Sequence, residues 1–133
     1  MGRGIVIVLD THAWIWWVAE PDKLSARAHH AIDAAEALGV CAISCWEVAM
    51  LVARRRLEFD RDVLLWIRQA LAVPRVTLLP LTPEVCVASV LLARKSPADP
   101  ADRMIAAAAL EHRASIVTKD SRLRSMPQIE TVW

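Results

Sequence analysis

With 133 residues, 56% of them hydrophobic, a mean hydropathy of +0.33 and a formal net charge of +1, the chain should fold as one domain over residues 1–133. That length buries roughly two thirds of the surface an unfolded chain exposes. Its longest apolar runs, Ala13 to Ala19 and Ile105 to Leu110, fall far short of the ~20 residues of a membrane-spanning helix, so a soluble protein is expected. The near-neutral total excludes a whole-molecule basic field and leaves any nucleic-acid contact to local patches.

In chain order, Ile5 to Asp10 (IVIVLD) comes first. Branched apolar residues in a short unbroken run read as a strand buried on both faces, as in the middle of a parallel sheet. Its terminal carboxylate, Asp10, stands where open α/β sheets place their ligand crevice, although N-capping the next helix would also account for it. Thr11 to Ala19 is then helical until Glu20-Pro21, with Trp14, Ile15 and Val18 on one face. A second helix runs from Ser25 to Leu38, with His29 and Ile32 at helical spacing and Gly39 as its stop. Val40 to Ile43 follows as a second short strand. Ser44-Cys45-Trp46-Glu47 fits a capping box opening a third helix through Val48, Leu51 and Val52 to the cationic turn Arg54-Arg55-Arg56.

Asp60 is placed to cap a further amphipathic helix, Val63 to Val73, which carries Leu64, Trp66, Ile67 and Leu71 and ends at Pro74. Val76 to Leu79 reads as a third strand, and Thr82-Pro83-Glu84 opens a helix to about Arg94. After Ser96-Pro97-Ala98, Asp99 should N-cap, Pro100 occupy the first turn and Asp102 sit third in the alanine-rich helix that ends near His112. Ser115 to Thr118 is a fourth strand, Lys119-Asp120-Ser121 opens a helical turn, and Ile129 to Val132 makes a fifth, edge strand. Strands alternating with helices predict an α/β, three-layer α/β/α domain with a mainly parallel central sheet of four to five strands.

Cys41, Cys45 and Cys86 are odd in number and lie in apolar contexts without a CxxC pair. They are expected to be buried, reduced thiols, which suits a cytoplasmic protein. Met1 to Gly4 is too short for the start of a signal peptide. Six tryptophans against one phenylalanine exceed what a small core requires, which points to an oligomer interface or a bound partner.

Asp10, Glu47, Asp102 and Asp120 each fall near a predicted helix start. Capping explains them one at a time. Right-handed crossovers place every strand-to-helix junction of a parallel sheet on one edge, so the four can also converge. Two carboxylates about 5 Å apart repel by about 3 kcal/mol at an effective dielectric of about 20, and a cation relieves that cost. Oxygen donors without a Cys/His set favour Mg²⁺ or Mn²⁺ over zinc. Such a centre suits phosphodiester hydrolysis, with the remaining carboxylates orienting or deprotonating water. Arg103, Lys119, Arg122 and Arg124 adjoin two of these acids and offer contacts to a polyanionic backbone, or form a solvated rim. His12 is expected to orient a neighbour rather than bind metal.

Taken together and in order, LDTHAWIWW, SCWEVAM, DPADRMIAAAAL and IVTKDSRL resemble the PIN-domain ribonucleases over essentially the full length, specifically the VapC-type toxins of toxin–antitoxin pairs. The resemblance implies a Mg²⁺-dependent endoribonuclease, commonly a homodimer, inhibited by a small antitoxin whose C-terminal segment crosses the active-site groove. By the same resemblance Asp10 and Asp102 match the principal metal ligands and Glu47 and Asp120 complete the acidic set. Asp99 also belongs to the motif, and spacing lets either Asp99 or Asp102 face the metal. A phosphoacceptor module, with Lys119 contacting an aspartyl phosphate, would want paired acids after the first strand, where this chain has Asp10 followed by Thr11 and His12. A PIN-like binding module without catalysis would show gaps in the acidic set.

Overall fold

The structure, a computed structural model, describes residues 6–92 and 99–133. Ile5, Ala93 to Arg94 and Ser96 to Ala98, each given a place by the sequence pattern, lie outside the described residues. Five strands, β1 (Val6–Leu9), β2 (Ala37–Cys41), β3 (Val76–Leu79), β4 (Ser115–Val117) and β5 (Thr131–Val132), form one sheet in the order β3-β2-β1-β4-β5. Every pairing in it is parallel. The helices are α1 (Thr11–Ala19), α2 (Ala26–Ala34), α3 (Ala42–Ala53), α4 (Val63–Leu71), α5 (Pro83–Leu92), α6 (Pro100–Glu111) and α7 (Ser121–Arg124), with a 3-10 turn at Pro21–Lys23.

The period of two along each strand divides the core between the two faces of the sheet. Ile7 and Leu9 of β1, with Leu38 and Val40 of β2, pack against Trp14 of α1, Ile32 of α2, Val48 of α3 and Trp66 and Ile67 of α4. Val8, Cys41, Leu79 and Ile116 point the other way, onto Val85 and Leu92 of α5, Ile105 to Ala109 of α6 and Leu123 of α7. The alanine run of α6 is buried throughout, and its small side chains let that helix approach the sheet closely. Two of the tryptophans are core residues: Trp14 and Trp66 are buried, their rings 5.3 Å apart, and Phe59 stacks on Trp66 at 4.1 Å. Part of the aromatic surplus is therefore spent inside the fold, while Trp46 remains exposed.

Three local expectations are corrected. Gly39 does not stop a helix: α2 ends at Ala34 and Gly39 lies inside β2, between Val8 and Thr77 in the register. A Cβ there would come within 2.7 Å of Leu79 Cδ1, so the glycine serves close strand packing rather than a helix end. Because β2 ends two residues earlier than expected, α3 starts at Ala42 and the Ser44–Glu47 capping box does not form; both residues lie inside the helix. Asp62, not Asp60, caps α4, its carboxylate accepting from the Leu64 and Leu65 N–H groups at 3.1 and 3.2 Å, while Asp60 pairs with Arg61. Of the three cysteines, Cys41 is buried and Cys45 half-buried, whereas Cys86 is exposed on α5. Burial pushes the Cys41 thiol up to about 12. No described helix is long and apolar enough to cross a membrane.

Candidate active site

The carboxyl edge of the sheet collects the acids. Asp10 leaves β1 in extended conformation and caps α1, its Oδ1 accepting from the Ala13 N–H at 2.8 Å. Its other oxygen accepts from the hydroxyl of Thr118, the residue after β4. Thr118 is fully buried, and its Oγ1 in turn accepts from the Asp120 N–H at 3.0 Å. One hydroxyl thus ties the acid that follows β1 to the one that follows β4.

Thr11 plays the corresponding part on the other side. Its buried Oγ1 is hydrogen-bonded to Ser44 Oγ at 2.9 Å and to a carboxylate oxygen of Glu47. A hydroxyl has one proton, so when Thr11 gives it to Glu47, Ser44 is the donor in the second bond. Ser44 and Glu47 stand one helical turn apart on α3, which lets α1 address both from a single position. On α6, Asp99 is the N-cap, its Oδ1 accepting from the Asp102 N–H at 2.9 Å. Asp120 caps α7 through the Arg122 N–H at 2.8 Å. Asp10, Asp99 and Asp120 are caps, then, but capping leaves them free to share a further role.

That shared place is a cavity of about 490 Å³ lined by Asp10, Thr11, His12, Trp16, Glu47, Asp99, Asp102, Lys119 and Asp120. All five candidate acids face it. Burial pushes the Asp102 carboxyl up to about 8, with the charges of Asp99, Asp120, Glu47 and Asp10 adding to the shift. Burial also raises Asp10, against the hydrogen bonds from Thr118 and Ala13 that favour its ionised form. Glu47 is raised by burial as well, and the bond from Thr11 works against that rise. Crowded, desolvated carboxyls of this kind resist ionisation until positive charge arrives.

The donor set fits a hard divalent cation: oxygens only, partly desolvated, mutually repelling. Among the described residues no three His, Cys, Asp or Glu side chains are gathered tightly enough to enclose an ion by themselves.

Of the four cations expected to meet a polyanion, only Lys119 lines the cavity. Arg122 and Arg124 are exposed on α7, and Arg103 is half-buried on α6. His12 stands exposed at the rim, its ring 5.7 Å from that of Trp16. The sequence reading passed over Ser44 and Thr118 and gave Thr11 and Trp16 no role at the site. For Thr118 a signal existed: a hydroxyl residue ending a strand, two positions before an acid. For Ser44 the capping-box pattern pointed the wrong way.

Residues 7–129 match the PIN domain family. The chain is 43% identical over 129 residues to a protein named Ribonuclease VapC22 from Mycobacterium tuberculosis, covering 96% of this chain and 98% of that one. The fold is similar to that in the structure of VapBC2 from Rickettsia felis bound to a promoter DNA fragment, with a TM-score of 0.69 at 12% identity over 96% of this chain and 97% of that one. DNA-bound VapBC from Salmonella typhimurium gives a TM-score of 0.69 at 18% identity, with 96% of each chain covered.

Proposed function

The chain belongs to the PIN-domain family, and we propose that it is an endoribonuclease toxin that hydrolyses RNA phosphodiester bonds with a divalent cation and is held in check by a cognate antitoxin. The observation that carries this reading is the meeting of five carboxylates from separate elements in one cavity at the carboxyl edge of a parallel sheet. The similarity to a named ribonuclease supports the reaction class.

Asp10 and Asp102 are the residues to hold the cation, Mg²⁺ by preference with Mn²⁺ able to substitute. Asp99, whose carboxylate caps α6 through the Asp102 N–H, stands beside Asp102 as the alternative ligand. The cation supplies charge neutralisation and polarisation of the scissile phosphoryl group when bound. The chain's own residues do the rest. Thr118 fixes the Asp10 carboxylate, and Thr11 holds one oxygen of Glu47 so that the other is left to orient water and accept its proton as the water oxygen attacks phosphorus. The bond from phosphorus to the leaving sugar oxygen breaks, and that oxygen takes a proton from solvent. Asp120, anchored through its backbone to Thr118, completes the acidic set, and Lys119 offers the nearest cation to the RNA backbone.

The antitoxin would cover the active-site groove with an extended segment. A homodimer would bury the outer face of α5, where Val87, Val90 and Leu91 are 63%, 67% and 55% exposed. An RNA substrate and three cysteines without a disulfide support a cytoplasmic location. The central test is cleavage of a mixed structured RNA pool with Mg²⁺ by wild type, Asp10→Asn, Glu47→Gln and Asp102→Asn, beside their melting temperatures. Loss of most of the rate with the fold retained is expected. Variants that cut as fast as wild type would leave these acids without a catalytic role.

A further inference from the structure

The acidic cavity has a second neighbour. A groove of about 550 Å³, lined by His12, Ile15, Trp16, Glu20, Lys23, Leu51, Arg56, Leu57 and Glu58, adjoins it. His12 and Trp16 line both spaces and so form the wall between them. We propose that these two rings, side by side at the mouth of the acidic cavity, are a stacking platform for one unpaired nucleobase next to the cleaved phosphate. This assignment rests on the ribonuclease reading above.

The charge balance of the cavity gives such a platform a use. Five carboxylates face a single lysine in its lining, so even with a divalent cation bound the cavity holds little positive charge to draw in an RNA strand. The net charge of +1 provides no long-range attraction to offset this. Binding near the reacting phosphate therefore gains from a contact that is not an ion pair, and an aromatic face supplies one: stacking accepts any base.

The rings are built for that use. His12 lies on the first turn of α1, two positions after Asp10, which ties its place to that of the candidate metal ligand. It is exposed, so ring surface is open to a ligand. Trp16, one turn further on, meets it at 5.7 Å with the planes 50° apart. Trp133 braces Trp16 at 5.8 Å. A braced indole keeps its place before the ligand arrives, so little ordering cost is left for binding. Beyond the rings, Arg56 in the adjoining groove offers a phosphate partner to the strand as it leaves the acids, while Lys23 there pairs with Glu20 at 3.2 Å. Single-stranded RNA, whose bases can be splayed out onto side chains, is the form that fits.

The test compares two short single-stranded oligoribonucleotides of mixed sequence, one intact and one in which the bases are replaced by abasic sites, with Ca²⁺ in place of Mg²⁺. Affinities are read by fluorescence polarisation for wild type, His12→Ala, Trp16→Ala and Trp16→Phe, and each variant is melted in parallel. Wild type should bind the intact strand on the order of tenfold more tightly than the abasic one. His12→Ala and Trp16→Ala should lose most of that preference, and Trp16→Phe should keep it. If Trp16→Ala unfolds, the exposed His12 and the conservative Trp16→Phe variant decide. Equal affinity of wild type for the two strands overturns the platform while leaving cleavage of RNA by the same preparation, and so the ribonuclease reading, intact. Variants that keep the preference for bases but lose capture of a cognate antitoxin peptide assign the rings to protein docking and overturn it as well. A wild type that neither binds nor cuts RNA removes the ribonuclease reading and the platform together.

Discussion

The buried hydroxyl of Thr11 is hydrogen-bonded to Glu47, 36 positions further along the chain, so the residue that follows one candidate metal ligand orients another. With Thr118 bonded to Asp10, two threonine hydroxyls tie three elements of the sheet edge into one arrangement of acids. Buried hydroxyls are costly unless bonded, and here each is bonded to a carboxylate that carries the proposed chemistry.

Removing the Thr11 hydroxyl should therefore cost activity more than stability. Groups that orient metal-site carboxylates are typically worth about 10–100-fold in activity or metal affinity. Thr11→Val is expected to fall in that range, and Thr11→Ser, which keeps the hydroxyl, should recover most of the loss. The measurements are RNA cleavage rate and Mn²⁺ affinity by titration calorimetry. Equal behaviour of the Val and Ser variants would show that the hydroxyl is idle.

The acids also set a pH dependence. Asp102 is pushed up to about 8 from an ordinary value of 3.8, chiefly by burial, and Asp10 and Glu47 are raised in the same direction by the same cause. Between those values the folded protein binds more protons than the unfolded chain, so unfolding free energy falls as pH rises. The contribution is fully present below about 4 and lost as pH climbs through about 8. In EDTA the melting temperature should fall steadily across that window. Mg²⁺ should reverse the loss near pH 8, since a ligand at a hundredfold excess over its Kd adds about 2.7 kcal/mol. Superimposable melting curves with EDTA and with excess Mg²⁺ at pH 8 would count decisively against a preformed metal centre.

Asp102→Asn separates the two contributions of that residue. The amide has nearly the shape of the protonated carboxyl and cannot ionise, and the backbone N–H given to Asp99 is unaffected by the change. In EDTA at pH 8 the variant should melt at least as high as wild type and show a shallower dependence on pH. It should gain little from Mg²⁺ and cleave little RNA. A variant that melts well below wild type in EDTA would make Asp102 a structural acid instead.

The fold was legible because its strands are short apolar runs closed by turn residues, and because strand-to-helix alternation leaves few topologies open. The acidic set was legible from helix starts: Asp10, Glu47 and Asp120 follow strands at strand-to-helix junctions, while Asp102 stands in the first turn of α6, which follows α5. What misled was local chemistry with two uses. Gly39 after a helical pattern reads as a stop, yet it lies in β2, where an added Cβ would meet the Leu79 side chain. Ser44 and Glu47 have the spacing of a capping box, yet the same spacing puts two polar groups on one helix face, where a tertiary partner, Thr11, claims both. Such partners, tens of positions away, leave no mark on a local pattern.

The outer face of α5 bears on assembly. Val85, Ser89 and Leu92 turn inward and are buried, while Val87, Val90 and Leu91, at helical spacing on the opposite side, are 63%, 67% and 55% exposed. A helix apolar on both sides is normally buried on both, and a second copy of the chain presenting the same face is the simplest cover. The wild-type protein should therefore run as a dimer in light scattering coupled to size exclusion. Val90→Asp places an unpaired carboxylate at the centre of that patch, where burying it would cost several kcal/mol or force it to bind a proton. The variant should be monomeric at concentrations where wild type is dimeric, with its melting temperature little changed, because the position contributes nothing to the core. A wild-type mass equal to one chain at every concentration would remove the dimer and leave the proposed chemistry of the acids untouched.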